Sequence, residues 1–132
     1  MHKFLLVFIL LFHLAVQAQS QTKSPAKQAS PPPAYIGKTW KIFSIEEFGV
    51  TKLPAKKTVN DMLQLNADNT FMLRIDSMDV SGKYTRAGKS LVLSTEKKEA
   101  YYLTILKELP DTLNIQCKNP DLITSVFKYI KQ

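Results

Sequence analysis

From Thr39 to the C-terminus the chain repeats one phrase: a short run of alternating apolar and polar residues, then a cluster of turn formers. Alternation with a period of two marks a β-sheet with one buried face, and it excludes amphipathic helices as the main building block. The stretch MLQLNADNTFMLRID, residues 62–76, shows it best. Leu63 and Leu65 point one way and Gln64 the other. After the turn from Asn66 to Thr70, Phe71, Leu73 and Ile75 continue on the buried side while Met72 and Arg74 face out. Asn69 stands where such a loop needs a left-handed residue, which Asn tolerates. SGKYTRAGKSLVLS, residues 81–94, follows the same plan. Gly82 and Tyr84 face in, Gly88 suits a positive φ in the turn, and Leu91 and Leu93 return on the inner face. Further on, EAYYLTIL, DTLNIQCK and ITSVFKYIK are separated by connectors holding Pro110 and Pro120, which stop the strands from running on.

With TWKIFSIEE at the front, the pattern predicts eight strands, at about 38–46, 61–66, 70–76, 80–86, 90–95, 99–107, 112–118 and 123–131. Eight short consecutive strands joined by tight turns predict an all-β, antiparallel up-and-down meander that closes into a barrel and so has no free edges. Only residues 50–61 form a long connection, expected to be a lid, a loop or one turn of helix at the barrel mouth. The predicted inward set is Trp40, Leu63, Leu65, Phe71, Leu73, Ile75, Tyr84, Leu91, Leu93, Leu103, Ile105, Leu113, Ile115 and Phe127. Ile42, Phe43 and Ile45 cannot all join them on a regular strand. A bulge, or an apolar contact outside the barrel, is expected there.

The chain begins differently. MHKFLLVFILLFHLAVQAQ has Lys3, an apolar run too short for the ~20 residues of a membrane span, and small residues Val16 and Ala18 placed for signal-peptidase cleavage. Residues 1–18 therefore read as a cleaved secretory signal. With no Cys after the apolar run, a lipobox anchor is not expected, and the mature protein is expected in the periplasm or outside the cell. Residues 19–34, QSQTKSPAKQASPPPA, lack large apolar side chains and read as a disordered tether. Residues 35–132 are left as one domain.

The formal charge of +7 is spread over strands and turns, without the concentrated basic stripe or stacking motif of a nucleic-acid binder. Both histidines, His2 and His13, fall in the signal segment, which leaves the domain without the usual general base or transition-metal ligand. Cys117 is the only cysteine and alternates with Leu113 and Ile115, so it reads as a buried, inert thiol. Glu46-Glu47 and Asp76-Ser77-Met78-Asp79 are the carboxylate pairs, at strand ends where acids serve turns. No phosphate loop or nucleophile elbow is present. Neither an enzyme, a metal nor a cofactor is expected.

The stretches GKTWKIFSIEE, LQLNADNTFML, SGKYTRAGKSLVLS, YLTILKELPDTLNI and FKYIK together resemble the lipocalin-like domain of secreted and periplasmic Bacteroidetes proteins, from Gly37 to the C-terminus. The resemblance implies an eight-stranded calycin-type barrel without a common catalytic residue. The usual front motif is Gly-x-Trp, whereas Gly37-Lys38-Thr39-Trp40 is one residue longer. Trp40 is expected to plug one barrel end, with Lys128 or Lys131 lying across its ring.

Taken together, these readings predict a monomeric binding protein that holds a small apolar molecule in a shallow barrel. The ligand-binding set would be Leu65, Phe71, Leu73, Tyr84, Leu93, Leu103, Ile115 and Phe127, with Tyr84 as the polar handle. The alternative is a filled barrel that meets a protein partner or inhibits a protease through its loops and N-terminal arm.

Overall fold

The computed structural model describes residues 30–132, so the predicted signal segment and most of the predicted tether lie outside the described residues. Nine strands follow in order: β1 (Thr39–Glu47), β2 (Val50–Lys52), β3 (Met62–Leu65), β4 (Thr70–Ile75), β5 (Met78–Ala87), β6 (Ser90–Thr95), β7 (Ala100–Glu108), β8 (Thr112–Lys118) and β9 (Thr124–Lys131). No helix occurs among the described residues. Every pairing is antiparallel between sequence neighbours, except that β1 skips β2 to pair with β3 and also pairs with β9. That last pairing closes β1 and β3–β9 into an eight-stranded antiparallel up-and-down barrel, with β2 as one extra strand.

β2 is the strand that periodicity missed. All three of its residues are exposed, so there is no apolar alternation to detect. It folds back on the end of β1 through Phe48 and Gly49, both at positive φ (52° and 75°), the backbone of a tight two-residue hairpin. β1 thus pairs along one edge with β9, and along the other first with β3 and then with β2.

The conflict in WKIFSI is settled by a bulge between Ile42 and Ser44. Phe43 is turned outward, 44% exposed, with the Lys128 ammonium 4.9 Å above its ring. Ile42 and Ile45 keep the inner face. The cation over Trp40 belongs instead to Lys38, at 5.8 Å, and not to Lys128 or Lys131 as expected. The bulge shifts the register so that Lys128 pairs with Ser44 and meets Phe43 on the outside.

The inward faces meet in one core. Trp40, Leu63, Leu65, Leu91, Leu93, Leu113 and Ile115 are the largest fully buried side chains. Each buried aliphatic contributes roughly 1.5–3 kcal/mol of transfer free energy, the main force that holds so small a barrel shut. Tyr35, Ile42, Tyr101, Cys117 and Tyr129 join the predicted inward set in the core, with Ile75 only partly buried at its margin.

Candidate functional site

The meander gives the barrel two unlike ends. The turns after β3, β5 and β7 gather at one end, together with the start of β1. There the Trp40 indole N–H donates to the Tyr35 carbonyl at 3.0 Å, and the Gly37 N–H donates to the Leu65 carbonyl at 2.7 Å. The chain entering β1 is thereby folded across the barrel end, with Trp40 fully buried beneath it. The Tyr84 hydroxyl donates to the Asn66 carbonyl at 2.7 Å, pinning β5 to the β3–β4 turn. This end is closed.

At the other end lie the turns after β4, β6 and β8 and the segment from Leu53 to Asp61. An inner hollow of about 140 Å³ opens there between Ile45, Glu47, Asp61, Ile75, Cys117, Ser125 and Phe127. A wider cleft of about 740 Å³ shares Ile75, Asp76 and Asn119 with it and continues past Val80, Thr95 and Tyr101. Apolar side chains such as Ile45, Ile75 and Phe127 share the lining of these spaces with polar and acidic ones such as Glu47, Asp61 and Ser125.

Asp61 organises one wall. Although only 3% exposed, its carboxylate accepts the backbone N–H groups of Asp76 and Ser77 at 2.9 and 3.1 Å. Those two residues form the β4–β5 turn at φ 50° and 64°, a conformation that leaves both N–H groups pointing at one acceptor. Burial holds the Asp61 pKa above the ordinary carboxylate value, and the two amide hydrogen bonds pull against it. The Ser77 hydroxyl donates in turn to the Lys57 carbonyl, tying the segment before β3 to the same turn. Residues 53–61 are therefore fastened beside the mouth. Across the hollow, the Ser125 hydroxyl donates to Glu47 at 3.0 Å. Cys117, 2% exposed, has its thiol pushed up to about 12 by burial alone.

All eight residues of the predicted ligand set are buried, none more than 6% exposed. Of these, Phe127 alone lines a hollow at the open end. Leu65, Phe71, Leu73, Leu93, Leu103 and Ile115 pack against one another in the core, and Phe71 also borders a groove on the outer face of β3–β6. Tyr84 belongs to the closed end, and its hydroxyl is already engaged by Asn66. The mouth is walled instead by Ile45, Asp61, Ile75, Tyr101, Cys117 and Ser125. Alternation in EAYYLTIL and DTLNIQCK marks Tyr101 and Cys117 as inward. Asp61 carried no such signal, because a lone Asp before a strand reads as a turn residue.

The remaining carboxylates are partly spoken for. Asp79 forms a bidentate pair with Arg74, with N–O distances of 2.6 and 3.1 Å. The Arg74 guanidinium holds the Asp79 carboxyl below its usual range. No group of three or more metal-ligating side chains occurs among the described residues. Compared with known protein families, curated proteins and solved structures, the chain finds no match.

Proposed function

We propose that this protein is a non-enzymatic, exported lipocalin-like binding protein that takes a small, largely apolar molecule at the open end of its barrel. The observation that carries this reading is the contrast between the two ends. The barrel is packed solid beneath Trp40 and hollow at the mouth, where Ile75, Tyr101, Cys117 and Phe127 line connected spaces. An eight-stranded barrel is just wide enough for such an arrangement. A binding rather than a catalytic role is supported by the absence of histidine after His13, and by Asp61 and Glu47 being committed to structural hydrogen bonds. Export rests on the signal-like residues 1–18, and an exported protein retaining Met1 on N-terminal sequencing would refute it.

Naphthylmethanol, a neutral apolar probe, tests the binding reading by NMR titration. Saturable shifts are expected at the amides of Ile75, Tyr101, Cys117 and Phe127, with little change at Leu65 and Leu91. A second reading, an interaction module working through its loops, draws on the apolar tips Phe48, Leu53 and Leu122, which are 93, 75 and 64% exposed. A partner protein that shifts these tips, with no probe response in the hollow, would establish it in place of the first.

A further inference from the structure

The barrel wall is interrupted beside β1. Along one edge, β1 pairs with β3 as far as Lys41, and the Ile42 N–H donates to the Asp61 carbonyl at 2.9 Å. Pairing on that edge resumes at Ile45, but with β2. Phe43 and Ser44, the residues at the bulge, stand between the two partners. Residues 53–60 leave β2 on one side of this break and return to β3 on the other. Ile45 and Asp61, which flank the break, both line the inner hollow of about 140 Å³, whereas none of residues 53–60 does. The hollow therefore reaches the wall where the sheet is not continuous, and the 53–60 segment spans that place.

That segment is held lightly. Leu53, Ala55, Lys56, Lys57, Val59 and Asn60 are exposed, and Thr58 alone is buried. Its hydrogen bonds are nearly all internal. The Thr58 and Val59 N–H groups and the Thr58 hydroxyl donate to the Ala55 carbonyl, and the Asp61 N–H donates to the Thr58 carbonyl. Among the described residues one hydrogen bond ties it to another element, from the Ser77 hydroxyl to the Lys57 carbonyl. Ser77 sits in the β4–β5 turn, which is itself fixed by Asp61 through the N–H groups of Asp76 and Ser77. The anchor is firm, and the segment hangs on it by a single catch. Pro54, just past β2, lacks an N–H and keeps the segment from lengthening that strand. Segments with exposed backbone and few packed side chains open locally at a much lower free energy than the core.

We propose that residues 53–60 are a strap that opens as a unit, between the end of β2 and Asp61, and uncovers a side entrance to the hollow, with the Ser77 hydroxyl as its catch. The motion follows from the strap's own contacts. Its role as an entrance rests on the hollow being the binding site.

Native-state hydrogen exchange followed by NMR reads the motion. The Thr58, Val59 and Asp61 amides are expected to exchange through local opening, far faster than those of Leu93 and Ile115. Ser77→Gly removes the catch and suits the turn's φ of 64°, so it should speed exchange of the three strap amides roughly fivefold with little change in melting temperature. Asp76→Gly frees the same turn but keeps the Ser77 hydroxyl, and should leave strap exchange as in the parent. Line-shape analysis of a naphthylmethanol titration reads the entrance. In Ser77→Gly, association and dissociation should quicken by a similar factor and leave Kd unchanged, because a gate alters the path and not the bound state. Strap amides that exchange only in step with Leu93 would overturn the proposal, as would equal acceleration by Asp76→Gly and Ser77→Gly. Faster strap exchange with unchanged probe kinetics would overturn the entrance and leave the binding reading standing. No saturable shift with either protein would overturn the binding reading, and the entrance with it.

Discussion

Gly82 sits near the centre of β5, paired with Phe71 on one side and Thr95 on the other. A Cβ built there would overlap the Ser94 carbonyl oxygen, and would come within 3.0 Å of the Ser94 carbonyl carbon and 3.1 Å of the Thr95 Cα. All three obstacles are backbone, so no side-chain rotation can relieve them. Two effects of Gly82→Ala oppose each other. Restricting the unfolded chain stabilises by about 0.4–1 kcal/mol where the native backbone accepts alanine. Against this, overpacking typically costs 1–3 kcal/mol, and here the backbone of β6 itself must move, so about 3 kcal/mol or more is expected. The steric term wins. For a domain of this size the net loss should lower the melting temperature by roughly 10–20 °C. Thermal unfolding followed by circular dichroism measures it, with Ser81→Ala and Lys83→Ala as exposed neighbours that should stay within about 0.5 kcal/mol of the parent. A Gly82→Ala protein melting within a degree or two of the parent would refute the reasoning. The close approach of β5 to β6 would then not be what requires the glycine of the Ser-Gly-x-Tyr strand.

The strand faces predict a second contrast. Leu93→Asp buries an unpaired carboxylate at a fully buried position and should unfold the domain, whereas Lys83→Asp on the exposed face of β5 should be nearly neutral by the same melting assay. Asp61→Ala removes the acceptor for two backbone N–H groups. Hydrogen bonds to a charged group are worth about 1.5–3 kcal/mol each, and relief of the buried charge returns part of that, so a loss of ~2–3 kcal/mol is expected in urea unfolding. Asp61→Asn, which keeps one good acceptor, should fall between that variant and the parent. With its pKa near 12, Cys117 should hold about one thiolate in a thousand at pH 9. Iodoacetamide labelling of the folded protein should therefore be slow, climb about tenfold per pH unit without a plateau below pH 11, and become fast in denaturant. Rapid labelling at pH 8 would show that the thiol is open to solvent.

The sequence by itself determined the class of fold, the faces of the strands and most of the core, though not Tyr35, Ile42, Tyr101 or Tyr129. These follow from a local rule: successive residues on a strand point to opposite sides, so alternation in MLQL, FMLRI and SLVLS names the inner face before any partner is known. Turn chemistry was equally local. Asn69 and Gly88 adopt the positive φ their positions called for, at 65° and 61°. β2 escaped because three exposed residues have no inner face to advertise. What only the tertiary structure decided was height along the barrel axis. Leu65, Leu93 and Phe127 share the inner face, yet the first two lie in solid packing and the third at a hollow, because strand register and the β1 bulge set how far up each inward residue stands. Alternation carries no information about that distance. The same holds for the mouth: the carboxylates that rim it come from turns scattered between residues 47 and 121, and only closure of the sheet through β1 and β9 brings them around one opening.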